Sequence, residues 1–183
     1  MASKENLAMT AAGDQQRGRA PEVRPIQPAD LAAILALNNA HAREISLIDE
    51  GGLARLLAIA THATAIGVLG APDAFLVAFD QDTPPRGPNH AWFLARHPRF
   101  LYVDRVCVEA RARKQGLARA LYADVFAVAR ARHLPIVCCE VNIDPPNPAS
   151  DAFHAALGFC ETGRAYLMAR NKTVRYLERP MLP

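Results

Sequence analysis

The chain has 183 residues, of which 51% are hydrophobic. This length is sufficient for one domain with a sizeable core and is short for two domains. Its formal net charge of +3 is too weak to argue for nucleic-acid binding, and its basic residues are not interleaved with aromatic ones. No apolar run reaches the roughly 18 residues of a membrane-spanning helix, and the N-terminal stretch lacks the apolar segment of a secretory signal. We therefore expect a cytoplasmic domain with neither nucleic acid nor membrane as a partner.

The first half of the chain alternates short helical and extended patterns. Residues 1–21 are polar and aperiodic, which predicts a disordered leader before a single domain over residues 22–183. The remaining predictions here are a strand at 23–26, helices from residue 30 and over 50–60, a hairpin of strands 64–69 and 74–79 around a turn at 70–73, and a short helical turn at 91–96. The proline-rich stretch 80–90 is expected to be an exposed loop that borders a site.

The second half predicts the central part of the sheet. We expect strands at 100–108, 136–142, 159–168 and 172–178, with helices at 115–132 and 148–157. The order β-α-α-β-β-β-α-β-α-β-β indicates an α/β (α+β) domain with a mixed, mostly antiparallel sheet of about seven strands and about four helices. One parallel crossover is expected, between the two strands that flank the 115–132 helix.

The four cysteines do not indicate a metal site. No CxxC spacing is present, so zinc is not expected, and Cys138 and Cys139 would point to opposite faces of one strand. We interpret the cysteines as small buried hydrophobic residues, with a catalytic cysteine as an open alternative.

The most informative segment is the strand 103–108 followed by the basic turn and helix start at 113–118. A helix N-terminus carries unpaired N–H groups and a partial positive charge, which suit a phosphate group. Gly116 and Ala118 lack bulk, so a pyrophosphate can approach the backbone, and Arg111, Arg113 and Lys114 add positive charge. An ordinary strand-turn-helix with a solvated basic turn is the alternative.

Residues 113–118 resemble the R/Q-x-x-G-x-G/A motif by which the GNAT acetyltransferase superfamily binds acetyl-CoA, with Ala118 where glycine is more usual. Residues 147–159 are similar to the second hallmark of that family, an Asn, a short helix and a Gly-Phe pair. The DRV, CEVN and PPNP segments also resemble a little-characterised bacterial branch of predicted acetyltransferases.

The resemblance implies the GNAT fold, in which two adjacent parallel strands splay apart and hold the pantetheine arm of coenzyme A between them. Acetyl-CoA is then the co-substrate, bound without a metal. The residues implied in its binding are Val106, Cys107, Val108, Arg111, Arg113, Lys114, Gln115, Gly116, Leu117, Ala118, Arg119, Asn142, Asn147, Ser150 and Phe153. Main-chain amides of the first strand would hold the thioester oxygen, while side-chain packing explains Val106 and Val108 equally well.

Three residues are candidates for the chemistry. The amine must attack in its neutral form, so a base or a water relay is needed. Asp104 is the first candidate, because a period of two puts it on one strand face with Tyr102, Val106 and Val108, and Glu140 is the second. His154 stands where the family usually has a tyrosine that protonates the leaving thiolate. Salt bridges for the two acids and a partly exposed helix position for His154 are the alternatives.

The acceptor is the least constrained part of the prediction. The resemblance implies that an amine attacks acetyl-CoA directly in a ternary complex, and Asn38 and Tyr102 are the candidate acceptor-binding residues. We expect a primary amine on a small molecule. The alternatives are a lysine or N-terminus of a protein, and a non-catalytic acyl-CoA sensor. Because GNAT domains often dimerise, a homodimer is also compatible with the resemblance.

Overall fold

A computed structural model describes residues 21–181, and the predicted leader lies outside these residues except for Pro21. A seven-stranded sheet runs through the domain in the order β1-β2-β3-β4-β5-β7-β6. The strands are β1 Val23–Pro25, β2 His62–Val68, β3 Ala71–Asp80, β4 Leu101–Val108, β5 Ile136–Asp144, β6 Cys160–Leu167 and β7 Lys172–Pro180. All neighbouring strands are antiparallel except β4 and β5, as the sequence predicted.

Five α-helices of the described chain cover the two faces of the sheet. They are α1 Leu31–Ala40, α2 Glu50–Ala58, α3 Pro88–Leu94, α4 Leu117–Ala131 and α5 Pro148–Ala156. One core cluster packs α4 and Phe159 against the sheet, and the other packs α1, α2 and Phe93 of α3 against the opposite face. The crossover helix α4 buries Leu121, Tyr122 and Val125 completely, so it anchors the face on which it lies.

Two predicted boundaries differ from the structure. The β2–β3 hairpin turns at Leu69 and Gly70, with Gly70 at φ +81°, and Pro72 already pairs within β3. Helix α3 begins at Pro88, before the predicted helical turn, because Gly87 at φ +130° ends the loop and proline suits the first helical position.

A β-bulge in β4 corrects the expected placement of Asp104. Val77 and Ala78 of β3 pair with Arg105 and Val103, so Asp104 is the extra residue in β4. An extra residue reverses the alternation beyond it. Tyr102 therefore packs into the cluster beneath α1, whereas Val106 and Val108 pack on the opposite side with α4, and the predicted common face does not exist.

The parallel pair β4–β5 separates soon after it begins. The two strands pair only at Leu101–Val137 and Tyr102–Cys138, although β4 continues to Val108 and β5 to Asp144. Their outer edges stay paired with β3 and β7. The result is a V-shaped gap in the middle of the sheet, open towards the carboxyl ends of both strands.

Candidate active site

A cavity of about 320 Å³ passes through this gap and connects the two faces of the sheet. On the α4 and α5 side it is lined by Val106, Tyr122, Cys139, Val141, Asn147, Ser150 and His154. On the α1 side it is lined by Glu44, Arg86, Asn89, His90, Tyr102, Glu140, Asn142, Arg170 and Lys172. A ligand on one face can therefore meet a ligand on the other within the sheet.

The turn before α4 presents an open, amide-rich surface. Lys114 at φ +62° and Gly116 at φ +82° both have left-handed backbones, and such turns orient successive N–H groups towards one point. Gly116 precedes α4 and no side chain caps this helix end. A Cβ at Gly116 would meet nothing within 4 Å, so the first-turn amides face free space that fits a phosphate.

The predicted phosphate-binding side chains divide into two groups. Arg113, Lys114 and Arg119 are exposed beside the turn. Arg111 forms an ion pair of 2.6 Å with Asp73, and Gln115 donates to the Arg111 carbonyl. Arg111 and Gln115 therefore stabilise the turn through contacts within the protein. Leu117 is buried in the core and Ala118 is half-buried at the start of α4.

The edge of β4 that faces the gap has no strand partner beyond Tyr102. This is the stretch predicted to pair with the pantetheine arm, and it comprises Val106, Cys107 and Val108. The Cys107 side chain lies on the α1 side, where burial raises the pKa of its thiol to about 12. Its thiol therefore stays protonated, and any role of Cys107 in binding belongs to its main chain.

Glu140 is the most perturbed carboxyl group at the cavity. Burial raises its pKa to about 7, and the negative charge of Asp104 adds to the increase. Tyr102 Oη donates to Oε2 at 2.7 Å and Asn89 Nδ2 donates to Oε1 at 2.7 Å. Both partners are neutral, so Glu140 exchanges a proton near neutrality while its orientation stays fixed.

Asp104 instead belongs to a buried ion pair. Arg105 Nε donates to Asp104 Oδ2 at 2.9 Å, and Arg105 Nη1 donates to Asn38 Oδ1 at 2.7 Å. Asn38 is fully buried, and its Nδ2 donates to Asn39 Oδ1 and to the Ser46 carbonyl. Asn38 is not among the cavity-lining residues, so the structure gives it a part in holding Arg105 and the α1–α2 loop.

His154 is buried, with 3% of its surface exposed, and hydrogen bonds engage both ring nitrogens. Its Nδ1 lies 2.8 Å from the Ser150 carbonyl, which can only accept, so Nδ1 carries the proton. Nε2 is then the acceptor of the Tyr122 hydroxyl at 2.7 Å. Burial lowers the pKa of His154, whereas burial raises the pKa of Tyr122 well above its usual value. Tyr122 therefore stays protonated, and its hydroxyl group donates to a neutral His154.

The start of α5 is held by local contacts. Asn147 Oδ1 accepts from the Ser150 N–H at 3.2 Å and caps the helix, and Pro148 occupies the first helical position. Phe153 packs edge-on against Tyr122 at 5.4 Å. Asn147 and Ser150 line the cavity and Phe153 does not.

Side chains from β4, β5 and β7 hold the α1–α2 loop over the α1 side of the cavity. Asn142 Nδ2 donates to the Glu44 carbonyl at 3.1 Å, which directs this side chain away from α4. Arg105 Nη1 donates to the Ser46 carbonyl at 3.2 Å. Lys172 Nζ donates to the Arg43 carbonyl and connects the loop to the start of β7. The cavity is therefore covered where the α1–α2 loop meets the β6–β7 connection.

Sequence reasoning missed Tyr122, Asn89 and His90. Tyr122 follows Leu121 in a helix whose apolar spacing concealed the hydroxyl group. The other two lie within the stretch 80–90, which was predicted to be an exposed loop that borders a site. The structure instead places Asn89 and His90 in the first turn of α3, where both are buried. Among residues 21–181 there is no group of three or more His, Cys, Asp or Glu residues placed to hold a metal ion.

A model of the GNAT acetyltransferase family matches residues 52–159, more than half of the chain. The chain is similar in structure to Ard1 from Thermoplasma volcanium, with 17% identity, TM-score 0.70, and 90% of this chain and 100% of that one covered. It is also similar to the ribosomal-protein-S18-alanine N-acetyltransferase from Escherichia coli (16% identity, TM-score 0.65, 88% and 94% covered).

A third similar structure is yncA from Salmonella typhimurium, a proposed acetyltransferase determined with acetyl-CoA (17% identity, TM-score 0.65, 90% and 96% covered). At these identities the structural likeness establishes the shared fold. No curated protein matches the chain.

Proposed function

Because this chain belongs to the GNAT acetyltransferase family, we propose that it transfers an acetyl group from acetyl-CoA to the primary amine of a small molecule, by direct attack in a ternary complex. An acetyl-CoA-dependent N-acetyltransferase activity follows from the family. The nature of the acceptor and the roles of individual residues are the parts proposed here.

One observation carries the proposal: the cavity crosses the sheet at the point where β4 and β5 separate. A donor on the α4 side and an acceptor on the α1 side can therefore approach each other through the gap. Direct transfer between two bound molecules needs this arrangement, because their reacting atoms must come to about 3–3.5 Å.

The donor side fits coenzyme A. The amides around Gly116 would hold its diphosphate, with Arg113, Lys114 and Arg119 nearby for further phosphate charge. The free edge of β4 can pair with the amide groups of the pantetheine arm. When bound, acetyl-CoA supplies an acetyl thioester, and the chain supplies its orientation.

On the acceptor side, Glu140 is our candidate for the general base, in place of Asp104. Its carboxylate takes a proton from the incoming ammonium group, directly or through one water molecule, and its pKa of about 7 suits this exchange near neutral pH. Asp104 is paired with Arg105 and acts on Glu140 through its charge. Tyr102 and Asn89 hold the carboxylate in place.

On the donor side, Tyr122 is our candidate for the proton donor to the leaving sulfur, and His154 positions its hydroxyl group. The sensor alternative is favoured by one feature of the sequence, which is His154 at the position where the family usually has a tyrosine. Tyr122 offers a tyrosine hydroxyl group at the same place, from α4 instead of α5. The absence of a tyrosine at position 154 therefore does not favour the sensor.

The roof over the cavity favours a small molecule over a protein segment. The Lys172–Arg43 contact joins the two loops between which an extended peptide would have to lie. Lining residues on this side include Arg86, Arg170 and Lys172, so the surface is not the acidic groove expected for a basic peptide.

Of residues 21–181, none form a helix long and apolar enough to cross a bilayer. A cytoplasmic location and self-association stay predictions.

The proposed function can be tested by following free CoA release from acetyl-CoA across a library of primary amines, with lysine-containing and N-terminal peptides as a parallel set. Turnover of small amines, with no turnover of peptides, supports the proposal. Peptide turnover alone would assign the protein-acetylating alternative. Acetyl-CoA binding without any turnover would assign the sensor.

A further inference from the structure

We propose that the acceptor of this enzyme is an amine that also carries an anionic oxyacid group, a carboxylate or a phosphate, and that Arg86 binds that group. This inference rests on the proposed function, because it concerns the acceptor side of the same cavity. It identifies one cavity residue that no motif indicates.

Arg86 is a half-buried arginine with unused donors. It lines the cavity directly before α3. Its Nε atom is buried and has no hydrogen-bond partner within the part of the chain that the structure describes. None of the ion pairs formed among residues 21–181 includes it. A buried guanidinium donor without an acceptor is costly, so its acceptor is expected to arrive with the ligand.

Arg86 contacts an aromatic ring of the core cluster beneath α1. Its guanidinium lies 5.5 Å from the centre of the Phe79 ring. Burial lowers the pKa of His90, which lines the same cavity, and the charge of Arg86 adds a smaller decrease. A planar guanidinium suits two-point binding of a carboxylate or phosphate.

His90 adds a second unpaired polar atom nearby. Its Nε2 lies 3.2 Å from the Asp80 carbonyl and must carry the proton, so Nδ1 is a free acceptor. This Nδ1 is buried without a partner among the described residues, and the whole side chain is only 1% exposed. It can accept a hydrogen bond from an amine or from the protonated form of an oxyacid.

The charges on this side of the cavity are arranged unequally. Glu140 has neutral partners only and is the natural site for the amine. Arg86 lies on the α3 side, whereas Arg170 and Lys172 line the wall formed by the β6–β7 connection. Glu44 of the α1–α2 loop also lines the cavity, and its charge acts on Lys172. Asp104 is paired with Arg105, so the three basic residues Arg86, Arg170 and Lys172 face two acids, Glu44 and Glu140. This excess of positive charge favours an acceptor with an anionic group beside its amine.

The test compares matched acceptors in the full-length enzyme with saturating acetyl-CoA. Amino acids and ω-amino acids are paired with their amides or with alkylamines of equal length, and phosphoethanolamine is paired with ethanolamine. Each pair is assayed with wild type, Arg86→Gln and Arg86→Lys. Arg55→Gln removes the same charge from an exposed position on α2 and serves as the control.

We expect anionic acceptors to be preferred. Arg86→Gln should lower kcat/KM for them by about tenfold or more, mainly through KM, the loss typical of a deleted charge-assisted hydrogen bond. Arg86→Lys should lie between, and Arg55→Gln should match wild type. Whether carboxylates or phosphates respond more strongly identifies the oxyacid. Thermal unfolding of each variant shows whether it is folded.

Two results would overturn the inference while the proposed function stands: equal use of charged and neutral partners by wild type, or an equal loss for both partners in Arg86→Gln. If no amine is acetylated although acetyl-CoA binds, the proposed function itself fails and the inference fails with it.

Discussion

Replacing Glu140 by Gln tests the proposed base most directly. The substitution keeps the size of the side chain and removes its ability to take a proton. Tyr102 and Asn89 both donate to the present carboxylate, so one of them loses its acceptor and the fold is expected to weaken by about 1–3 kcal/mol. If the variant remains folded in the assay, a loss of turnover reports on the chemical role of Glu140 and not on a loss of stability.

The magnitude follows from the pKa of about 7 for Glu140. A base must be deprotonated, so kcat/KM should rise about tenfold per pH unit up to pH ~7 and then level off until the acceptor amine titrates. In Glu140→Gln this rise should disappear, and the plateau should fall by about 10²–10⁴, the usual range for a lost general base.

Stability provides a second readout of the same group. In the folded chain the pKa of Glu140 is raised from its ordinary value of 4.5 to about 7, so the unfolded chain releases this proton first as the pH rises. The free energy of unfolding should therefore fall between pH ~4.5 and ~7, by ~3 kcal/mol at most for a shift of roughly 2.5 units. Glu140→Gln should lack this component in urea titrations across the same pH range.

Asp104→Asn separates the two carboxyl candidates. The negative charge of Asp104 contributes to the raised pKa of Glu140, so its removal should move the rising limb of the pH profile to lower pH and keep its shape. Disappearance of the limb in Asp104→Asn, with an unchanged limb in Glu140→Gln, would refute our assignment and make Asp104 the base.

Three further substitutions test other parts of the site. Gly116→Glu should abolish most acetyl-CoA affinity in calorimetry, whereas Gly70→Glu, at nearly the same φ of +81°, should lose a similar 1–2 kcal/mol of stability and keep its affinity; equal affinities would disprove the phosphate site. Tyr122→Phe should lower kcat by about 10²-fold or more at unchanged CoA affinity, and a normal kcat would remove Tyr122 from the mechanism. Asn38→Ala should destabilise the protein by about 2 kcal/mol in urea unfolding, because Arg105 loses a buried acceptor, while a rise in acceptor KM without destabilisation would restore its predicted substrate role.

The architecture could be predicted from local patterns because each element obeys its own period. The apolar spacing of α4 and the continuous apolar run of β5 together indicate a parallel crossover, and Gly70 indicates the hairpin turn. The turn before α4 was predictable for a similar reason, since its glycine and its basic residues are adjacent in sequence. Its binding of a phosphate stays a prediction.

The chemistry could not be predicted as well, because it depends on contacts distant in sequence. A strict period of two cannot reveal the bulge at Asp104, which depends on the register of β3. Tyr122 and His154 are 32 residues apart and meet only when α4 and α5 pack together. His154 looked like a substitute acid because its partner, which determines its protonation, was not evident.

The gap between β4 and β5 imposes a structural requirement that the surrounding sequence meets. Separated strands leave backbone groups without partners in the middle of a sheet, which is unfavourable unless water or a ligand pairs with them. The outer edges of β4 and β5 remain paired with β3 and β7, and the Arg105 and Asn142 contacts to the α1–α2 loop tie the two separated strands to one roof. The gap is therefore held open by its surroundings before any ligand arrives, and a ligand with peptide-like amides gains hydrogen bonds there without having to separate the strands.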